Sequence, residues 1–272
     1  MKVFVIGSTG MLGKYVSTYL KDYYDLVEIN RKDIDVSSIK ESELKSRFIN
    51  LNINEGDVVI NCVGAIKPRV DELGDLNAIL VNSVFPRILA NVCEEFKVKM
   101  IHPTTDCVYT GNKGNYSEND IYDVADVYGM SKALGEPKNC TVIRTSIMGE
   151  EVNQGRSLIE WVKSEKNKTV FGFTNHFWNG VTCLQFAKIC KETIEKNLFW
   201  VGTKHLHSNT VSKKELVELI SDSYNLNVTV TPKETELSCD RSISTIHDHE
   251  IEIPSLKVQI DELKEFSKSL YK

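Results

Sequence analysis

The chain has 272 residues, of which 41% are hydrophobic and 26% charged, a balance typical of folded globular proteins rather than disordered or fibrous ones. Its formal net charge is −5 and its basic residues are scattered, which argues against a nucleic-acid-binding surface. No apolar run approaches the roughly 20 residues that span a bilayer, and the N-terminal MKVFVIG predicts a strand instead of a signal peptide. We therefore expect a cytoplasmic protein that binds neither nucleic acid nor membrane.

The cysteine pattern gives no sign of a metal site. The sequence has seven cysteines, an odd number, and they include no CxxC pair or zinc-ligand spacing. We expect reduced thiols, mostly in the core, and no bound metal.

The first half of the chain alternates short β-branched runs with helical stretches. The runs KVFVI, LVEIN, DVVINCV, VKMIHPT and TVIRTSI read as strands, with helical patterns between them. This alternation predicts right-handed βαβ units and an α/β fold with a Rossmann-type doubly wound parallel sheet. Ligands of such sheets bind at the carboxyl ends of the strands.

Beyond residue 150 the pattern predicts a smaller mixed α/β substrate domain. Helices are expected over SLIEWVKSEK, CLQFAKICKETIEK, SKKELVELISDSYNL with Ser212 as N-cap, and SLKVQIDELKEFSKSL, and VFGFTNHFWNG is expected to be irregular. Residues 1–150 and about 181–203 would form the NAD(P)-binding domain, and about 151–180 and 204–272 the substrate domain. A cleft between them would hold the substrate.

A glycine-rich turn follows the first strand directly. Gly7, Gly10 and Gly13 are spaced GxxGxxG, one residue wider than the usual dinucleotide fingerprint, and Met11 and Leu12 lie between the last two. Glycines at these places allow a tight turn, close approach of the backbone to a pyrophosphate, and close packing of helix on strand. Because the turn opens a βαβ series, it predicts a dinucleotide site.

The ends of the next two strands refine the cofactor prediction. Arg31 stands where an acid that binds the ribose is usual, and it would accept the 2′-phosphate of NADPH; NADH and a simply solvated Arg31 stay open. Asp35 would accept from the adenine amino group or cap a turn. Small residues after the third strand would lie under adenosine and ribose, or serve tight packing of the sheet. They are Asn61, Val63, Gly64 and Ala65.

Tyr128 and Lys132 are four residues apart in a segment of helical periodicity and so share one face of the helix. The ammonium would favour the phenolate and bring the tyrosine pKa down from about 10, which suits proton exchange with an alcohol or carbonyl. Thr105 follows the fourth strand and should emerge at the same edge of the sheet, where its hydroxyl can bind the reacting carbonyl. A Tyr-x-x-x-Lys pair alone is typical of an exposed helix, so the prediction depends on this convergence.

These residues resemble the extended short-chain dehydrogenase/reductases, most closely the dTDP-4-dehydrorhamnose reductase branch. The resemblance rests on GSTGMLG, TTDCVYTG with the acidic loop GNYSEND, VYGMSKALGE and VIRTSIMG, and covers roughly the first 150 residues. It implies NADPH-dependent reduction of a 4-keto-6-deoxy sugar on a nucleoside diphosphate, with Thr105, Tyr128 and Lys132 as the triad. UDP, dTDP and GDP stay open, as does a homodimer. For Asn82 it implies a cofactor-binding or sheet-linking role, the alternative being a polar group inside a helix.

Cys107 departs from the family pattern, in which an aromatic residue usually follows the TTD-like triplet. Enzymes that epimerise the sugar before reducing it are similar in carrying a cysteine here, whose thiolate would remove the acidic proton beside the 4-keto group. His176, in an aromatic-rich stretch, is the candidate proton donor on the other face. The alternatives are an inert packing thiol and a structural histidine.

Further residues are candidates for holding the substrate. Asn175, Trp178 and Asn179 would contact the sugar or stack on the nucleobase, unless Trp178 only seals the domain junction. Arg241 would bind the diphosphate, unless it forms a surface salt bridge. Asp106, next to Thr105, completes this set.

Two other function classes stay open. The chain also resembles the regulatory subunit of methionine adenosyltransferase, so a non-catalytic dinucleotide-binding subunit is the first alternative. The second is an epimerase or dehydratase that recycles NAD. A dehydratase would need another acid–base pair beside Asp106, where this chain has Cys107.

Overall fold

A computed structural model of the chain describes residues 1–151, 157–248 and 250–270. Its strands are β1 (Lys2–Ile6), β2 (Asp25–Ile29), β3 (Val58–Asn61), β4 (Lys99–Thr104), β5 (Thr141–Arg144), β6 (Ile147–Met148), β7 (Thr169–Phe173), β8 (His176–Trp178), β9 (Val181–Thr182), β10 (Gly202–His205), β11 (Val211–Ser212), β12 (Thr229–Lys233) and β13 (Cys239–Asp240). Its α-helices are α1 (Met11–Leu20), α2 (Glu41–Asn50), α3 (Lys67–Leu73), α4 (Asp75–Ile79), α5 (Phe85–Glu95), α6 (Val127–Leu134), α7 (Leu158–Ser164), α8 (Cys183–Glu195), α9 (Lys213–Tyr224) and α10 (Leu256–Leu270).

The predicted doubly wound sheet is confirmed. Six parallel strands run in the order β10-β5-β4-β3-β1-β2. Phe48 of α2 and Leu89 of α5 are buried against one face of the sheet, and Val16 of α1 and Phe186 of α8 against the other. The strand order reverses between β1 and β3, so the loops after these two strands border the crevice where ligands of such sheets bind.

The helical run that contains α4 and α5 corrects one expectation from the sequence. Asp75–Glu95 is a continuous 21-residue helix with an 18-residue stretch of mean hydropathy 1.4, which by length and composition alone is enough to cross a membrane. A π-helical turn, Leu80–Val84, lies in its middle. Leu89 and Val92 are fully buried in the core, so the apolar face packs against the sheet as a core helix does.

The second half adds small sheets that the sequence did not predict. The stretch expected to be irregular forms β7 and β8. Strand β7 pairs with β12, and β8 lies between β11 and β13. These strands are two to five residues long and their partners are distant in sequence, so no local periodicity marks them. Strand β10 extends the main sheet to His205, two residues past the expected boundary.

The two halves share a hydrophobic core. Leu263 of α10, Leu216 of α9 and Ile159 of α7 are buried in one cluster with Tyr15 of α1. The Tyr15 hydroxyl also lies 2.7 Å from Ser267 Oγ in α10. The last helix thus packs directly on the helix that follows the glycine-rich turn.

Candidate active site

The glycine-rich turn has the geometry of a phosphate cradle. Gly7 has φ of +84°, a conformation that favours glycine, and a Cβ on Gly13 would lie 2.1 Å from the Gly7 carbonyl oxygen. Gly10 is the N-cap of α1, provides no side-chain hydrogen bond, and is followed by no acidic residue in the first turn. The first amides of α1, including those of Met11 and Leu12, are therefore left to an external anion.

The loop after β3 is shaped by Asn61, which is fully buried. Its Oδ1 accepts from the Val63 amide at 3.1 Å, and its Nδ2 lies 3.1 Å from Nδ1 of His102 on the neighbouring strand. Burial lowers the pKa of His102 to about 3, so this histidine is neutral and can accept that hydrogen bond. Asn61 fixes the loop over which a cofactor could lie, and its own polar atoms face the protein.

Asn82 links this loop to the helix that carries the predicted catalytic pair. Its Oδ1 accepts from the Ala65 amide at 2.8 Å, and its Nδ2 donates to the Ala65 carbonyl at 3.0 Å and to Ser131 Oγ at 3.1 Å. A Cβ on Gly135 would lie 1.8 Å from the Asn82 carbonyl oxygen, so α6 crosses the π-helical turn very closely. The side chain is 1% exposed, which fits the linking role.

Lys132 projects from α6 onto Gly64. A Cβ at Gly64 would lie 2.4 Å from Lys132 Nζ, so the ammonium lies directly against the backbone of this glycine. Lys132 is 9% exposed, and burial lowers its pKa to about 8, with Glu136 opposing the shift. The ammonium thus lies beside the switch-point loop, where it can reach a cofactor ribose.

Tyr128, Thr105 and Cys107 meet where α6 packs on the segment after β4. A Cβ on Gly129 would lie 2.4 Å from the Cys107 carbonyl oxygen, which shows how close the helix comes. The Thr105 side chain lies near enough to the Tyr128 phenol to act on its pKa. Thr105 Oγ1 also accepts from the Cys107 amide and donates to Asp106 Oδ1, both at 3.1 Å.

The state of Tyr128 differs from the expectation. Burial raises its pKa well above the usual value, Cys107 and Asp106 add to the rise, and the Thr105 side chain only partly opposes it. The sequence predicts that Lys132 lowers this pKa, whereas in this structure burial is the main influence and it acts in the opposite direction. Tyr128 is therefore a protonated phenol, ready to donate.

Cys107 is a protonated thiol. Burial raises its pKa to about 12, Asp106 raises it further, and Arg241 partly opposes the rise. Arg241 Nη1 lies 4.0 Å from the sulfur, and its Nε donates to the Tyr109 carbonyl at 3.1 Å. Arg241 thus lies against the segment that carries Thr105, as its predicted role requires.

The remaining polar side chains in and next to β8 form hydrogen bonds with other parts of the protein. His176 Nε2 lies 2.7 Å from Thr235 Oγ1, and the amide of Asn175 donates to the Thr235 carbonyl at 2.8 Å. Asn179 donates to the Ile243 carbonyl at 2.7 Å and accepts from the Ile243 amide at 3.0 Å. These side chains hold the β8 and β13 segments together, and nothing brings His176 into contact with Cys107.

Lys213 is a site residue that sequence reasoning missed. Its Nζ lies 5.3 Å from the centroid of the Trp178 ring, which is 6% exposed. Burial lowers the pKa of Lys213, while Asp106 and Cys107 raise it, so the ammonium faces the catalytic segment. The sequence feature that could have indicated Lys213 is its place in the first turn of a capped helix, where the helix dipole disfavours a cation.

The model for the RmlD substrate binding domain matches residues 1–242. The chain belongs to this family. Over 151 residues it is 28% identical to the dTDP-4-keto-6-deoxy-D-glucose reductase of Streptomyces niveus, covering 52% of this chain and 51% of that one. The chain thus matches about half the length of this curated relative.

Two further comparisons cover more of this chain. Methionine adenosyltransferase 2 subunit beta of Mus musculus is 23% identical over 251 residues, covering 83% of this chain and 72% of that one. The crystal structure of dTDP-4-dehydrorhamnose reductase from Bacillus anthracis in complex with NADP aligns with a TM-score of 0.79 at 19% identity, covering 98% of this chain and 99% of that one. The second likeness confirms the fold.

At the outer end of the crevice Arg31 is largely exposed. Its side chain is 77% exposed, and its Nε lies 3.8 Å from Asp35 Oδ1. Asp35 accepts from the amide and hydroxyl of Ser37 at 3.1 and 2.7 Å, so it caps the turn, the alternative to adenine binding. Within the described ranges, no group of three or more His, Cys, Asp or Glu side chains could hold a metal ion.

A buried ion pair anchors helix α6. Arg144, 1% exposed at the end of β5, donates from Nε to Glu136 Oε1 at 3.0 Å, just after α6. Its other nitrogens lie 2.7 to 2.8 Å from Tyr109 Oη, Tyr122 Oη and His205 Nε2. This network ties α6, β5 and β10 together, and it holds the carboxylate that opposes the fall in the Lys132 pKa.

Proposed function

We propose that this chain uses NADPH to reduce the 4-keto group of a nucleoside-diphosphate-4-keto-6-deoxyhexose in deoxysugar biosynthesis. The observation that carries the proposal is the convergence of Thr105, Tyr128 and Lys132 beside the glycine-rich turn, at the point where the strand order reverses. The names of the related reductases support the substrate class. We place the reaction in the cytoplasm, with UDP or dTDP as the carrier, and leave room for a homodimer.

The residues around the switch point fit a dinucleotide. The first amides of α1 would hold the pyrophosphate, and Arg31, which projects into solvent, would accept the 2′-phosphate that distinguishes NADPH from NADH. Lys132 would hold the nicotinamide ribose across Gly64. When bound, the cofactor supplies the hydride. The NADP complex of the Bacillus anthracis enzyme supports this choice.

The chain's own residues supply the proton and orient the ketone. Tyr128, protonated at neutral pH, donates its phenolic proton to the sugar O4 as that oxygen gains charge. The Thr105 hydroxyl, which lies near the Tyr128 phenol, would position the same oxygen. Lys132 stabilises the phenolate that remains, because its ammonium is held in a position of low dielectric.

The walls of the crevice would hold the rest of the substrate. Arg241, against the Cys107 segment, would bind the diphosphate, and Trp178 would close the side of the site. We propose no epimerisation before reduction. The Cys107 thiol, with its pKa raised to about 12, is not a base at neutral pH, and His176 is hydrogen-bonded to Thr235.

The experiment is NADPH oxidation by the purified chain with UDP-, dTDP- and GDP-linked 4-keto-6-deoxyhexoses. At least one should support turnover, and Tyr128→Phe should lower kcat by about 100-fold or more, as loss of a proton donor does. Cys107→Ser should reduce the same ketone at a rate within a few-fold of the parent. Failure of all three sugar classes would refute the reductase, and loss of turnover in Cys107→Ser would restore the epimerase step.

A second candidate is a non-catalytic dinucleotide-binding subunit, favoured by the long match to methionine adenosyltransferase 2 subunit beta. It predicts tight NADPH binding without oxidation by any ketone, and no effect of Tyr128→Phe on NADPH binding. The two candidates therefore differ in turnover, which the same assay measures.

A further inference from the structure

Lys213 is placed at a cost that folding does not explain. It is the first residue of α9, where the helix dipole disfavours a cation, and burial lowers its pKa below the usual lysine value. Within the described part of the chain its ammonium forms no ion pair, and its contact is the face of the Trp178 ring. A partly buried ammonium that forms no ion pair, with Asp106 as its acidic neighbour, can gain a direct partner when an anion binds.

Arg241 is a second cation in the same condition. Its Nε bonds to a backbone carbonyl and its Nη1 contacts the Cys107 sulfur, while no carboxylate of the described residues pairs with it. The small sheet explains why the two cations meet. Strand β8 pairs with β11 on one side and β13 on the other, so Lys213, which follows β11, and Arg241, which follows β13, flank Trp178.

Charge and position identify the ligand group. Arg241 Nη1 lies 4.0 Å from the Cys107 sulfur, and Asp106 and Cys107 raise the pKa of both cations. Asp106 is 3% exposed and hydrogen-bonded to Thr105. An anion bound between Lys213 and Arg241 would be separated from the reacting carbonyl by about the width of one sugar ring. The substrate has this spacing, since its diphosphate is attached to C1 and its carbonyl is at C4. Two adjacent phosphates match two cations.

We propose that Lys213 and Arg241 form a two-cation clamp for the diphosphate of the substrate, and that Lys213 leaves the Trp178 ring to bind it. The clamp rests on the proposed function, because it presupposes a nucleotide-sugar substrate. It assigns Lys213, which no motif of the sequence indicated, as a residue that binds the substrate.

The test is titration of the full chain with UDP and dTDP, each compared with its nucleoside monophosphate, by calorimetry. Lys213→Met should weaken diphosphate binding about tenfold or more, as loss of a charge-assisted hydrogen bond does, and should affect the monophosphate less. Lys213→Arg should recover most of the affinity. The matched control is Lys214→Met, because Lys214 pairs with Glu218 on the surface of α9 and should leave binding unchanged.

Two further readouts separate a ligand role from a structural one. Tryptophan emission should change when UDP binds the parent chain, as the cation leaves the Trp178 ring, and this change should be lost in Lys213→Met. Affinity should also fall as pH rises through the lowered Lys213 pKa, and Lys213→Arg should retain affinity there. The titratable and charged groups that face Lys213 are Asp106, Cys107, Arg241 and Cys239.

The outcomes distinguish the clamp from the function. If UDP and dTDP bind the parent but Lys213→Met binds them equally well, the clamp is refuted while the reductase stands. If neither nucleotide binds the parent and no nucleotide-linked ketone is reduced, both fail. If circular dichroism shows that Lys213→Met is misfolded, the pH dependence of binding by Lys213→Arg replaces it as the test. The clamp is refuted if Lys213→Arg loses as much affinity at alkaline pH as the parent does.

Discussion

Lys132, which we propose as a catalytic residue, shows how a buried cation lowers stability. Its pKa is about 8 in the folded chain against 10.5 for an ordinary lysine. Between these values the unfolded chain binds more protons, so the free energy of unfolding should rise with pH through this window. Below pH 8 the buried ammonium costs about 3 kcal/mol, so Lys132→Met should be more stable than the parent at pH 7 by up to this amount.

The measurement is urea unfolding of Lys132→Met and of the parent at pH 7 and pH 9.5. The advantage of the variant should shrink at the higher pH, where the parent lysine is neutral in the fold. Lys138→Met, which removes the same charge from an exposed position just beyond α6, should show neither the gain nor its pH dependence. A parent that is the more stable protein at pH 7 would contradict the assignment.

Local motifs could predict some site residues but not others. Gly7, Tyr128 and Lys132 follow from short patterns, because a turn and a helix face are set by residues near in sequence. The protonation state of Tyr128 does not follow, since it depends on how deeply the packed chain buries the phenol. Lys213 could not be predicted from the sequence for a similar reason. Two short strands that pair on either side of β8 bring it to the site.

The π-helical turn in the long core helix is an element with a defined task. It carries Asn82, whose amide links Ala65 of the switch-point loop to Ser131 of α6. Asn82→Leu would leave the Ala65 amide and carbonyl unpaired in a buried position, at a cost of about 2–4 kcal/mol. Because the linked loop adjoins Lys132 and the proposed cofactor site, KM for NADPH should rise more than KM for the sugar.

The control for this element is Asn77→Leu in α4, an exposed asparagine whose side-chain amide donates to the Leu73 carbonyl at the end of α3, away from the switch-point loop. This substitution should change the free energy of unfolding by no more than about 0.5 kcal/mol. It should leave KM for NADPH unchanged. If Asn82→Leu instead raises both KM values equally, the turn supports the fold as a whole and not the cofactor loop in particular.

The sequence predicts elements of this molecule unevenly. Helices α8 and α9 lie where periodicity indicates them, and the predicted capping box of Ser212 and Glu215 is present. Strands β7 and β8 escaped prediction because their partners lie about 30 to 60 residues away. A pairing that depends on the packed chain leaves no periodic signal, and this part of the fold holds Trp178 and Arg241.

At the scale of the whole molecule, the shared core implies that the two halves unfold together. Leu263 of α10 is fully buried in the cluster that contains Tyr15 of α1, although the two lie in different predicted domains. Leu263→Ala should therefore lower the free energy of unfolding by about 2–5 kcal/mol, and loss of NADPH binding should follow the same denaturation curve as loss of helix.

The matched control is Val258→Ala on the same helix, whose side chain is 45% exposed and should cost far less. Urea unfolding followed in parallel by circular dichroism and by NADPH fluorescence measures both transitions. In Leu263→Ala, NADPH binding could persist up to the urea midpoint of the parent while part of the circular dichroism signal is lost at lower urea. This outcome would mean that the two halves are independent domains. Coincident curves mean that a change in α10 reaches the glycine-rich turn through α1, because one core supports both.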